Sequence, residues 1–237
     1  MGDRRFIISH IALPVALLAL FTLLFERFHW DFWLADQLYQ WEGGQWALKD
    51  NPLLANVLHT GARNLLSLMA LIVVAAWCLS FVLPSLSRFN NSLGYLSISS
   101  LASVFCISLL KHVTGVPCPW EMIPFGGSVD YHSIGQYLFQ YRQASECFPA
   151  GHASAGFAWF GLYFIARQKR LPHPWIVLLT VILMGASLGF VQQLRGAHLI
   201  SHDLWTAVLC WLIAVLCSPI LKPEPSTQDI VHARTAH

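Results

Sequence analysis

Charge is scarce in this chain of 237 residues. Asp, Glu, Lys and Arg make up 11% of it, 56% is hydrophobic, and the mean hydropathy is +0.54. A soluble domain carries roughly 25% charged residues, so the shortage excludes an ordinary soluble domain and leaves a polytopic membrane protein. The net charge is only +2, and no basic cluster interleaved with aromatics is present. A nucleic-acid partner is excluded on that ground. None of the six cysteines falls in a CxxC or Cys/His spacing of the zinc type, so no metal site is expected. No small-residue cleavage site follows the first apolar run, Phe6 to Phe25. That run is of spanning length and reads as a retained helix, not a cleaved signal. Internal repeats are also lacking.

Long apolar runs are what the chain has in abundance. Six spans are expected, at about 6–26, 64–83, 93–112, 152–168, 173–192 and 203–221, each near the ~20 residues that cross a bilayer. The expectation is therefore an all-α, six-helix membrane bundle forming one domain over 1–222. The stretch from Arg27 to Arg63 holds Trp30, Trp33, Trp41 and Trp46 among Asp31, Asp36 and Glu42. Indoles mixed with carboxylates suit helices lying in the membrane interface, so an interfacial helical region is expected after the first span. The tail from Pro223 to His237 reads as disordered and cytoplasmic. Cys78, Cys106, Cys210 and Cys217 lie in apolar runs and read as small hydrophobes.

Orientation follows from the cations. Arg4, Arg5, Arg88, Arg167, Lys169, Arg170 and Lys222 fall on one side if the spans alternate. The positive-inside rule makes that side cytoplasmic, with both termini there. Asp31, Asp36, Glu42, Asp50, Glu121, Asp130 and Glu146 fall on the other side.

Three polar patches sit at the outward ends of apolar runs. The first is Lys111 through Pro119, the second Cys147 through His152, and the third Arg195 through Asp203. Ionisable groups at membrane depth are costly and mark functional sites. Gly151 opens a helix whose unpaired N–H groups favour an anion, and Lys111 and Arg195 add the fixed charge that holds a phosphate. His198 is the expected nucleophile, with Asp203 or a water accepting from its other ring nitrogen. His152 is the expected acid for the departing oxygen. His202 is expected beside the site as a hydrogen-bond partner.

The order and setting of these patches resemble the type-2 phosphatidic-acid-phosphatase (PAP2) superfamily of membrane lipid phosphatases over roughly residues 93–221. The first family motif is Lys, six residues, Arg-Pro; here Lys111 is followed after six residues by Cys118-Pro119. The second is Pro-Ser-Gly-His; here it is Pro149-Ala150-Gly151-His152. The third is Ser-Arg, five residues, His, three residues, Asp, and Gly196-Ala197-His198 resembles the segment around its His. The family Asp position, four after His198, holds His202, with Asp203 one further; the family Arg position, six before, holds Gln192. Arg195, one turn after Gln192, and Arg142, in the central loop, are the expected replacement clamps. The orienter of His198 stays open between Asp203 and His202.

The resemblance implies an enzyme without a metal or cofactor. It would remove or transfer the phosphate of a lipid phosphate through a phosphohistidine, at the periplasmic face of a bacterial inner membrane. The partners expected are the lipid substrate and the bilayer. Two other classes share these residues: a non-catalytic lipid-phosphate binder, and an intramembrane serine protease using Ser154. Cys118 stands at the family's Arg position and Cys147 two residues before Pro149, both on the oxidising side, so a Cys118–Cys147 disulfide is expected.

Overall fold

In the computed structural model, residues 4–132, 135–136 and 145–221 are described. Arg142 and the tail from 222 lie outside them. Among the described residues the architecture is helical, and the one β feature is an isolated bridge between Met122 and Val129. Helix α1 (Arg4–Phe28) runs to His29, whose left-handed φ of 53° breaks the chain before α2 (Trp30–Trp41). Helix α3 (Leu53–Leu79) and α4 (Asn90–Thr114) follow. Helix α5 spans 151–168 and passes through a 3-10 turn at Ala158–Phe160. Helix α6 (Pro174–Leu194) and α7 (Ile200–Cys217) complete the bundle.

Five helical segments are long and apolar enough to cross a membrane, namely α1, α3, the α4 segment, α6 and the α7 segment. The remaining expected span is α5, whose continuity is broken by the 3-10 turn. It lies at the centre of the bundle, with Ala153, Phe157, Ala158, Trp159, Phe160 and Phe164 all buried. Small residues set its closest contact. A Cβ on Gly156 would lie 2.6 Å from the backbone of Gly185, so α5 and α6 meet backbone to backbone. Such small-residue contacts give helices tight van der Waals packing where lipid supplies no hydrophobic drive.

The region after the first span differs from expectation in extent. Only Trp30–Trp41 forms the separate helix, and α3 begins at Leu53 rather than near residue 64. Pro52 is the cause: instead of ending a loop, it precedes the first turn of α3, and Asn51 Oδ1 accepts from the N–H groups of Leu53 and Leu54 at 3.0 and 3.3 Å. Proline needs no N–H at a helix start, and Asn is a favoured cap. The extra turns of α3, Leu53–Gly61, are π-helical.

The two ends of the bundle are distinct. At one, His10 of α1 meets Tyr163 and Arg167 of α5, and Asn91 of α4 donates to the Ile220 carbonyl. At the other, the C-terminus of α4 meets the N-termini of α5 and α7. The expected antiparallel order explains this sorting, with all three polar patches at one end.

Candidate functional site

Hydrogen bonds to backbone carbonyls tie the three patches together. Thr114 Oγ1 donates to the Phe148 carbonyl at 2.5 Å, Cys147 N to the Val116 carbonyl at 3.1 Å, and Ala150 N to the His202 carbonyl at 3.4 Å. Trp120 N donates to the Gly196 carbonyl at 3.0 Å. The expected disulfide is present: Cys118 and Cys147 are joined, with Cα atoms 5.2 Å apart. It clamps the end of α4 to the turn that opens α5.

A lid of aromatics closes over this frame. Phe32 and Tyr39 of α2, with Trp46 just beyond it, pack on Phe125 of the central loop, and Leu199 joins the same cluster. Gly196 has φ +68°, and a Cβ there would lie 2.3 Å from the Trp46 ring. Only glycine satisfies both the left-handed backbone and the approach of the indole.

Asp31 of α2 reaches furthest. Helix α7 has no side-chain cap of its own, and the buried Asp31 Oδ1 accepts from Ser201 N in its first turn at 2.9 Å. Burial raises the Asp31 pKa, and the hydrogen bonds from Ser201 oppose the rise. Asp31→Ala leaves that N–H without its partner and is expected to cost about 1–3 kcal/mol. Asp31→Asn keeps an acceptor and should lose less. Thermal unfolding in detergent checks this, and equal midpoints for wild type and Asp31→Ala would refute the cap.

Lys111, Gly151, His152 and His198 converge. A Cβ on Gly151 would lie 3.2 Å from Lys111 Nζ, so the ammonium sits over the first residue of α5. His198 precedes α7 and is buried, and its Nδ1 has no hydrogen-bond partner. Burial is the main cause that holds its pKa well below the ordinary imidazole value; His202, Lys111 and His152 push the same way, and the Cys147 carbonyl opposes. That direction favours the unprotonated ring, the form in which a histidine is a nucleophile. Arg195 lies at the outer edge, its Nε donating to the Lys49 carbonyl at 2.8 Å and its Nη1 to Gln192 Oε1 at 3.3 Å. It therefore shares a helix face with the position the family motif gives to arginine.

Asp203 is not brought to His198. Its Oδ2 accepts from Gln193 Nε2 at 2.6 Å, and its carboxylate packs over Gly189. The helix already exists at Ile200, so Asp203 is turned ~100° from His202. His202 is the neighbour instead, its ring centroid 5.8 Å from that of His198. Ser154 is also occupied: it is buried, and its hydroxyl donates to the Gly151 carbonyl at 2.6 Å. That bond ties the first turn of α5 and gives no support to a serine nucleophile.

Two residues that no motif pointed to stand in the site. His59 of α3 stacks on His152, with ring centroids 3.6 Å apart and planes 20° apart. Arg63, one turn later, lines a groove with Gly151 and acts electrostatically on both rings, as do Lys111 and Arg195. Their only sequence signal is polarity at i and i+4 at the start of an apolar run.

The PAP2 superfamily model matches residues 92–224. The chain belongs to the PAP2 superfamily. That segment carries Lys111, the α5 turn and His198, and the family's members are generally phosphatases. No curated protein and no solved structure gives a match. Helices α1 to α3, with Asp31, His59 and Arg63, lie outside the matched PAP2 segment.

Proposed function

We propose that this chain is a PAP2 phosphatase or phosphotransferase acting on a lipid phosphate. The observation that carries the reading is the convergence of the buried His198, the Lys111 ammonium and the opening turn of α5 with His152. The phosphoryl group sits at the N-terminus of α5, where free N–H groups and Lys111 hold its oxygens. His152 takes up a proton as the phosphate anion binds beside it; His198 then attacks phosphorus, the P–O ester bond breaks, and His152 gives that proton to the leaving alkoxide. Water, or an acceptor hydroxyl, then takes the phosphoryl group from His198 and returns a proton to His152. In this reading His202 positions His198, and Asp203 braces Gln193. Arg195 contributes charge from the rim.

A lipid substrate is supported by a groove of about 480 Å³. It starts at Gly151 and Arg63 and continues along Leu66, Leu101, Val104 and Trp159, between α3, α4 and α5. A phosphate at the polar end leaves its hydrocarbon in the apolar part. The distribution of Lys and Arg supports cytoplasmic termini with the site on the opposite face, the periplasmic side of a bacterial inner membrane in this reading. The test is release of inorganic phosphate by the purified protein from a panel of lipid phosphates and lipid pyrophosphates in detergent. Phosphate release from at least one lipid is expected. Binding without release or transfer across the panel would instead make the chain a lipid-phosphate binder.

A further inference from the structure

Two phosphate donors of the family motifs are missing here. Cys118 stands in place of the arginine and Ala150 in place of the serine. Neither position can recover its role by local movement, since Cys118 is tied into the disulfide and Ala150 is fully buried. Helix α3 brings a cation and a second imidazole to the opening turn of α5 from another direction. His59 and Arg63 lie four residues apart and therefore on one face. The His59 ring covers that of His152 at 3.6 Å. Arg63 is exposed where the groove meets Gly151.

The local bonding of His59 fixes its ring. The Thr60 hydroxyl donates to the Ala55 carbonyl at 3.0 Å, so its oxygen is left to accept from His59 Nδ1 at 3.3 Å. One face of the ring is then given to His152. The His152 Nε2 is buried without a hydrogen-bond partner, so the stack is what sets that ring's angle.

We propose that Arg63 binds the phosphoryl group in place of the missing motif arginine, and that His59 is a positioning residue holding His152 for proton transfer. The proposal rests on the phosphatase reading above. Arg63 acts on binding, whatever the leaving group. His59 acts through the acid, so its effect depends on how much the leaving group needs a proton.

That difference is the test. Arg63→Met is expected to raise KM about tenfold or more for both a lipid phosphate and p-nitrophenyl phosphate, the loss of one charged hydrogen bond. It should weaken vanadate inhibition to the same extent. His59→Ala is expected to lower kcat/KM, which reports only the steps through ester-bond cleavage, about tenfold or more on the lipid phosphate, whose alkoxide must be protonated, and little on p-nitrophenyl phosphate. His59→Phe keeps an aromatic face on His152 and should restore most of the lipid-phosphate kcat/KM. If His59→Ala does not fold, His59→Leu, which fills the space without an aromatic face, takes its place. Unchanged KM and vanadate inhibition in Arg63→Met would overturn the binding role. Equal losses on both substrates, or His59→Phe no better than His59→Ala, would overturn the positioning role. Full turnover in His198→Ala would instead bring down the underlying reading, which keeps the two failures distinct.

Discussion

His198→Ala is expected to remove turnover while leaving the fold intact. The ring is buried just ahead of α7 with an unpartnered Nδ1, at the end of the site that holds Lys111 and the opening turn of α5. Acid–base help alone is typically worth ~10²–10⁴-fold, and loss of the attacking group should cost at least that much. His152→Ala should fall in the same range on lipid phosphates. Steady-state phosphate release, with thermal unfolding as a control on folding, measures both. Wild-type rates in His198→Ala would end the phosphohistidine reading. A dead His202→Ala beside a live His198→Ala would instead move the nucleophile by one turn. The pH profile carries a further sign. His198 must be unprotonated to attack, and its folded pKa is well below the ordinary value. Its protonation should therefore not limit kcat/KM until the pH is well below about 6.5.

Lys111→Met should weaken vanadate inhibition about tenfold or more, the loss of a charged hydrogen bond of about 1.5–3 kcal/mol. The ammonium lies over Gly151, at the opening turn of α5. Arg195→Met should have a smaller effect, because its guanidinium is partly committed to Lys49 and Gln192. Vanadate adopts the trigonal-bipyramidal geometry of phosphoryl transfer, so inhibition reports the clamp without depending on the lipid. Unchanged inhibition in both variants would remove them from phosphate binding.

Much of this was legible in the sequence because membrane helices announce themselves by apolar length. The expected 93–112 and 173–192 became Asn90–Thr114 and Pro174–Leu194. The meeting of Lys111, Gly151 and His198 followed from alternation and motif order, and the disulfide from two cysteines flanking one site. The start of α3 was misplaced because Asn51-Pro52 opens a helix as readily as it ends a loop. The direction of Asp203 could not be read, since a single residue of helix register decides it. His59, Arg63 and Asp31 could not be assigned either. Each acts across a distance in sequence, Asp31 on Ser201 for example, that no local spacing encodes.

The bond from Asp31 to Ser201 limits how this protein can exchange parts with its relatives. The stretch that the superfamily model matches is not mechanically self-sufficient. A chimera that kept residues 92–221 but took its first ninety from a member without a carboxylate at the position of Asp31 would lose the bond that caps α7. It would also lose the indole seated on Gly196 and the ring stacked on His152. Changes in the leading third and in the third motif must therefore be inherited together. Shuffling at the boundary near residue 90 should yield chains that insert into the membrane and retain every recognisable motif, yet have a loosened site.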